Sequence, residues 1–263
     1  MKVIALLDNK SICGFAVKHG LSFYIETPKH KILFDTGPDK TAFENGEKLG
    51  VDFSQIDTVI ISHGHVDHGG GLSHFLEMNQ TAKVYVQSKA FDKHYAKSLF
   101  RKTDISIDAK FKTHPQVVLV DGDFEIDDEL KLFTVQDTTK CYSDANKNLI
   151  TDAGKDDFSH EQNLMILGDE PTLFMGCGHT GIVNILEKAT PYAPQICIGG
   201  YHLWDPVKNK TVTPQLMEAI AAELNKHDIQ YFTCHCTGPE GYAYLSKRVP
   251  NMKYFGCGER LFK

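Results

Sequence analysis

Residues 63–68 read His63-Gly64-His65-Val66-Asp67-His68, four side chains able to hold a metal ion within six positions. In extended backbone, side chains two apart point the same way, so His63 and His65 can grip one ion. Asp67 and His68 follow where the chain turns, and would face a second ion nearby. The β-branched run Val59-Ile60-Ile61 just before them reads as a short buried strand, and the pattern from Leu72 to Glu77 as the start of a helix. Gly69, Gly70 and Gly71 between them permit positive φ and close backbone approach, as a tight strand-to-helix turn requires. Solvated loop histidines are the plainer alternative, but four donors directly after a buried strand argue for metal.

Other candidates stand at the ends of further apolar runs. Asp35 closes Ile32-Leu33-Phe34, either as a strand-end turn residue or as a group that orients a metal-binding histidine. His179 follows Gly176-Cys177-Gly178 after the run from Pro171, and is expected as a ligand because a buried imidazole there is otherwise hard to satisfy. Cys177 is a donor by chemistry or a small buried apolar residue. Thr180 to Lys188 carries apolar residues at 182, 183, 185 and 186, a helix whose first N–H groups could hold an anionic substrate group. His202 ends Ile196-Cys197-Ile198 through Gly199-Gly200-Tyr201, and either contacts substrate and moves a proton or simply packs.

The elements that must position these side chains are mostly strands. Val3–Leu7, Gly14–Gly20, Leu21–Glu26 and Ile32–Phe34 are expected strands, and Phe43–Leu49 a short helix. Further strands are expected at 83–87, 117–120, 130–135, 163–167 and 229–233. Thr213-Pro214 starts a helix running to about His227, with Thr213 as its cap and Leu216, Ile220 and Leu224 on one face. Residues 88–115 are rich in lysine and also hold His94 and His114; an ordinary solvated helix with a connecting loop is the plainer reading, a basic cap over an anionic substrate the other. Residues 136–159 are a polar loop whose length suggests function or mobility. No repeat or linker divides the chain, so residues 1–263 are expected to form a single domain.

The bulk numbers exclude several classes. A chain of 263 residues with 41% hydrophobic content and net charge −6 has no basic surplus for nucleic acid. No apolar stretch approaches the roughly 18 residues of a membrane helix. Met1–Asp8 reads as a first strand, not as a signal peptide. Seven cysteines without paired spacing are expected as reduced thiols in a cytoplasmic protein. The sequence leaves the oligomeric state open, a homodimer included.

The His63–His68 stretch resembles the signature of the metallo-β-lactamase fold superfamily, and the likeness spans roughly residues 2–262. Asp35 in Lys31-Ile-Leu-Phe-Asp-Thr-Gly37 looks like that superfamily's early strand-end aspartate. Gly176-Cys-Gly-His-Thr-Gly-Ile-Val-Asn184, Gly199-Gly-Tyr-His202 and Cys234-His-Cys-Thr-Gly238 look like one branch of it. Members of that branch are often labelled dihydropterin-type synthases, after a reaction on a pterin-ribofuranosyl-aminobenzene phosphate. The resemblance implies an α/β fold, a four-layer αββα sandwich with two mixed sheets. It implies His160, before an apolar strand, as the third ligand of the first ion, with Glu161 as the fallback. His235 would complete the second site. Relatives place a bridging aspartate where Cys177 stands, so Cys177 or His179 must replace it. Cys234 and Cys236 are expected as non-ligands, and Gly256-Cys257-Gly258 as a turn that faces the site.

Two divalent ions, with zinc expected and iron or manganese admitted, would share a water whose pKa they lower, and Asp67 would orient it. The expectation is a metal-dependent hydrolase of a small, anionic substrate that bears a pterin or phosphate. A metal-binding sensor with little turnover fits the missing bridging aspartate. A di-iron redox protein fits less well, since such relatives carry an acidic residue where His65 stands.

Overall fold

The apolar runs pair into two seven-stranded mixed sheets, beside a four-stranded and a two-stranded sheet, in a computed structural model that describes residues 1–12 and 14–262. The chain packs as two compact units: Met1–Lys93, Ile105–Gly122 and Gly256–Lys263 form the first, His94–Asp104 and Asp123–Phe255 the second. This is the α/β class with mixed sheets that the sequence implies.

In the first unit the sheet order is Arg260–Phe262, Lys2–Leu7, Ser22–Glu26, Lys31–Phe34, Thr58–Ile61, Lys83–Gln87 and Val117–Val120. The first three pairings are antiparallel and the last three parallel. The parallel register Phe34↔Ile60 carries two strand ends to one edge, so Asp35 emerges beside the residues that follow Ile61. Helix Thr41–Lys48 buries Ala42 and Phe43, and helix Leu72–Met78 buries Leu72, Phe75 and Leu76. These pack with Leu6, Leu33, Val59, Ile61, Val84 and Val86 in one core. Each fully buried side chain of this size contributes about 1.5–3 kcal/mol.

In the second unit the order is Met252–Tyr254, Gln230–Thr233, Ile196–Gly199, Thr172–Phe174, Asn163–Ile166, Leu130–Phe133 and Phe124–Glu125. The first four strands are parallel, so the segments after 174, 199 and 233 leave the same sheet edge. Helices Ile182–Ala189 and Pro214–Leu224 supply Ile185, Ile220 and Leu224 to a core with Leu173, Met175, Cys197 and Tyr231. Thr213 caps the second helix as expected, its hydroxyl accepting from Leu216 N at 3.3 Å. Among the described residues no helix is long and apolar enough to cross a membrane.

Three expectations are corrected. Gly14–Gly20 is not a strand, because side chains take its backbone bonds: Phe15 N donates to Ser11 Oγ, and Asn45 bridges Ala16 N and Ala16 O. Residues 88–115 hold no α-helix: His94–Lys97 and Lys102–Asp104 are strands, because Leu149–Thr151 provides a ladder for them. The same pairing orders much of the polar 136–159 segment, with a 3₁₀ turn at Asp144–Asn148 and strands at Leu149–Thr151 and Gly154–Lys155.

Candidate metal centre

The first unit holds its donors at the edge where Lys31–Phe34 and Thr58–Ile61 end. Asp35 N bonds to Ile60 O at 2.9 Å, which fixes Asp35 in the left-handed region at φ 58. A non-glycine residue there is strained by about 1–3 kcal/mol, and its surroundings must hold it. They do: the buried carboxylate accepts from Ser62 N at 2.7 Å, Ser62 Oγ at 2.7 Å and His68 Nδ1 at 2.6 Å. Because an ionised carboxylate only accepts, His68 carries its proton on Nδ1 and presents a lone pair on Nε2. Ser62 Oγ has spent its proton on Asp35, so it accepts from His63 Nδ1 at 2.9 Å and sets the same tautomer in His63. One carboxylate thus prepares two imidazoles as Nε2 ligands, the orienting role expected for Asp35.

His65 keeps extended backbone at φ −92 and ψ 142, and its ring centroid lies 4.6 Å from that of His63. The His63 and His68 centroids are 4.1 Å apart. Asp67 and His68 stand on the helical turn Val66–Gly69, with Asp67 Oδ2 3.6 Å from His68 Nε2 and 3.4 Å from His19 Nε2. The loop is tied down by Val66 N to Ile105 O at 2.7 Å and Ile107 N to Gly64 O at 3.2 Å. The glycines that follow serve close approach alone. Gly70 and Gly71 have φ −65 and −77, but a Cβ on Gly70 would meet the carbonyl oxygens of Pro38 at 2.4 Å and Val66 at 2.5 Å. The expected need for positive φ is therefore wrong: the helix starts within the glycines, and backbone crowding selects them.

The second unit holds three further groups. His179 Nδ1 donates to Asn146 Oδ1 at 2.9 Å while Asn146 Nδ2 donates back to His179 O at 2.8 Å, so Nε2 again carries the lone pair. Its ring stacks on Phe158 at 4.5 Å and lies 4.1 Å from that of His202. Cys177, His179 and His202 offer donor atoms within 4.8 Å of one another, and so do Cys177, His235 and Cys236. His202 and His235 both sit at φ 46, further strained positions at strand ends. Among the described residues neither ring nitrogen of the buried His202 has a hydrogen-bond partner. Burial alone would raise the Cys236 thiol, but Cys177, His202 and His235 outweigh it and hold the group well below the ordinary thiol range.

His160 stands in the third group. Its Nε2 lies 3.2 Å from Asp156 Oδ2, the oxygen that His94 Nδ1 also reaches at 3.2 Å. Burial would raise the Asp156 pKa, but hydrogen bonds from His160 and His94 hold it below the usual carboxylate range; burial keeps the His160 pKa low.

Two expectations change here. Glu161 is engaged internally, its pKa raised by burial against the opposing hydrogen bonds: its carboxyl oxygens accept from His179 N at 2.7 Å, Thr180 N at 2.9 Å and Thr180 Oγ1 at 2.7 Å. It therefore positions His179, and it takes Thr180 N, one of the N–H groups that were expected to receive a substrate anion. Cys257 does not face the donors; its thiol donates to Leu6 O at 3.1 Å within the first core, and burial pushes its pKa up to about 12. The six described cysteines are free thiols, and Cys13 lies outside the described residues.

Sequence reasoning missed Ser62, Asn146, Phe158 and Asp156, and left His94 without a role. Ser62 and Asn146 had no local signal, since each acts on a partner the fold brings to it. In each unit, imidazoles with preset tautomers offer the donor chemistry of a divalent metal ion.

A family model described as the metallo-beta-lactamase superfamily matches residues 16–141. The chain is 26% identical over 258 residues to an uncharacterized protein of Methanocaldococcus jannaschii, covering 97% of each. A second protein of that organism, named 7,8-dihydropterin-6-methyl-4-(beta-D-ribofuranosyl)-aminobenzene-5'-phosphate synthase, is 29% identical over 252 residues, covering 85% of this chain and 82% of the other. A solved structure described as a metal-dependent hydrolase of the beta-lactamase superfamily matches with TM-score 0.84 at 25% identity, over 100% of this chain and 99% of that one. Mixed sheets, the family-model match over residues 16–141 and the solved relative together give this chain the metallo-beta-lactamase fold, and its sequence is similar to that of a protein named as a dihydropterin-type synthase.

Proposed function

We propose that the protein is a metal-dependent hydrolase of a small anionic substrate bearing a pterin or a phosphate, acting in the cytoplasm on neither nucleic acid nor membrane. The observation that carries the reading is the Asp35–Ser62 relay, which presets His63 and His68 as Nε2 donors beside Asp67. A buried carboxylate given over to fixing two tautomers has its use when both rings bind metal. The hydrolase described among the solved relatives and the phosphate in the name of the Methanocaldococcus protein support the class and the substrate chemistry.

His63, His65, Asp67 and His68 of the first unit and His179 and His235 of the second are the ligands in this reading, with zinc as the metal and iron or manganese as substitutes. A divalent ion supplies Lewis acidity toward the scissile oxygen and lowers the pKa of water, so no Ser or Cys nucleophile is needed. Asp67 orients the attacking water, and its exposed neighbour His19 at 3.4 Å restrains the carboxylate. His202, with neither ring nitrogen engaged, exchanges the proton of the leaving group.

The test is metal content without added metal, in wild type and His65→Ala, together with turnover of phosphodiester, phosphomonoester and lactone substrates. Two equivalents per chain in this ligand set, and a loss of turnover above about 100-fold in the variant, are expected. Metal-free protein after reconstitution, or equal turnover in the variant, refutes it. Cys177 at a position where relatives carry an aspartate favours a second reading, a metal-binding sensor; tight ligand binding by metal-replete protein without turnover of any substrate selects that one.

A further inference from the structure

We propose that His94, Asp156 and His160 of the second unit together hold a divalent metal ion, their donor atoms lying within 4.8 Å of one another. The three side chains come from separate parts of the second unit. His94 opens the strand His94–Lys97 opposite Thr151, Asp156 follows the strand Gly154–Lys155, and His160 stands four residues on. All three are buried, with 1%, 2% and 2% exposure.

Their geometry is that of ligands. His94 Nδ1 and His160 Nε2 each lie 3.2 Å from the same oxygen, Asp156 Oδ2, and the two rings are 4.0 Å apart by centroid. The other carboxylate oxygen accepts from Phe158 N at 2.8 Å, which fixes the direction of Oδ2. An ordinary imidazole–carboxylate bond in this protein is shorter: His68 Nδ1 to Asp35 Oδ2 is 2.6 Å. Charge-assisted hydrogen bonds fall at about 2.7–2.9 Å. Two ligands each about 2.0–2.1 Å from zinc, at a tetrahedral angle, stand about 3.3 Å apart. The two 3.2 Å separations match that edge. Two imidazoles and one carboxylate suit zinc or ferrous iron and leave a position for water or an anionic oxygen. Such an ion would staple the hairpin His94–Asp104 to the chain entering the strand Asn163–Ile166.

The experiment is zinc titration of full-length, metal-stripped protein, wild type beside Asp156→Asn and His63→Ala. Asp156→Asn is expected to bind one equivalent fewer than wild type, an equivalent that His63→Ala retains. Equal stoichiometry in wild type and Asp156→Asn overturns the proposal. Should Asp156→Asn fail to fold, His94→Cys decides, since it keeps a ligand at that position. On cobalt loading it is expected to add a thiolate-to-cobalt charge-transfer band to the wild-type spectrum, and absence of the added band overturns the site. Loss of hydrolytic activity leaves this readout unchanged, so the two readings fail separately.

Discussion

Asp35→Asn isolates the relay that prepares the first donor set. In the native protein one carboxylate oxygen accepts from Ser62 N, and the other from both Ser62 Oγ and His68 Nδ1. The amide of asparagine offers one oxygen and one NH₂. With the oxygen toward Ser62 N, the NH₂ faces two donors; with the amide reversed, it faces the backbone N–H. In the first orientation His68 accepts only by moving its proton to Nε2, which removes the metal lone pair. Asparagine tolerates the φ of 58 at this position, so backbone strain does not confound the result. Losing such an orienting partner costs about 10–100-fold in metal affinity, or about 1.4–2.7 kcal/mol. The buried donors left unmade lower the metal-free stability by about 1–3 kcal/mol. Zinc affinity by competition with a chromophoric chelator and urea unfolding of the metal-free protein measure the two effects. A zinc affinity within twofold of wild type, in folded variant protein, would refute the tautomer argument.

Three further outcomes follow from the same geometry. Asn146→Ala removes the acceptor of His179 Nδ1 and the donor to His179 O, and turnover of a screened substrate is expected to fall about 10–100-fold with the fold intact by circular dichroism. Gly70→Ala drives a Cβ against two carbonyl oxygens and is expected to destabilise the protein by about 1–3 kcal/mol in urea unfolding, with metal content falling alongside. Asp39, whose pKa burial would raise, is held down to about 2 by Lys18 and Thr41, against an ordinary value of 3.8. A folded pKa below the unfolded one gives stability that is present above pH 3.8 and lost as pH falls through about 2. Asp39→Asn is therefore expected to flatten the acid limb of the stability curve over that window, by about 1 kcal/mol after solvent screening.

What the sequence made legible was local. Val59-Ile60-Ile61 and Ile32-Leu33-Phe34 announced strands that the structure extends by one residue at their starts, because β-branched and apolar runs carry their own signal. The alternation His63-Gly-His65 was readable because extended backbone has a fixed period. Ser62 was not: its role exists only because parallel pairing brings Asp35 beside it, 27 residues away in the chain. Gly14–Gly20 looked like a strand, and only the side chain of Asn45, which takes the backbone bonds of Ala16, shows why it is not. His94–Asp104 failed as a helix because its partner strand starts at Leu149. Glu161 likewise takes Thr180 N, where a substrate anion was foreseen, an engagement visible only once His179 and Thr180 lie against it.

The most direct measurement is anomalous diffraction at the zinc edge from crystals of zinc-reconstituted protein. The account predicts a peak about 2.0–2.1 Å from Nε2 of His63 or His68, with their Nδ1 atoms still on Ser62 and Asp35. A map with no peak against either Nε2, or a peak bound through Nδ1, would contradict it.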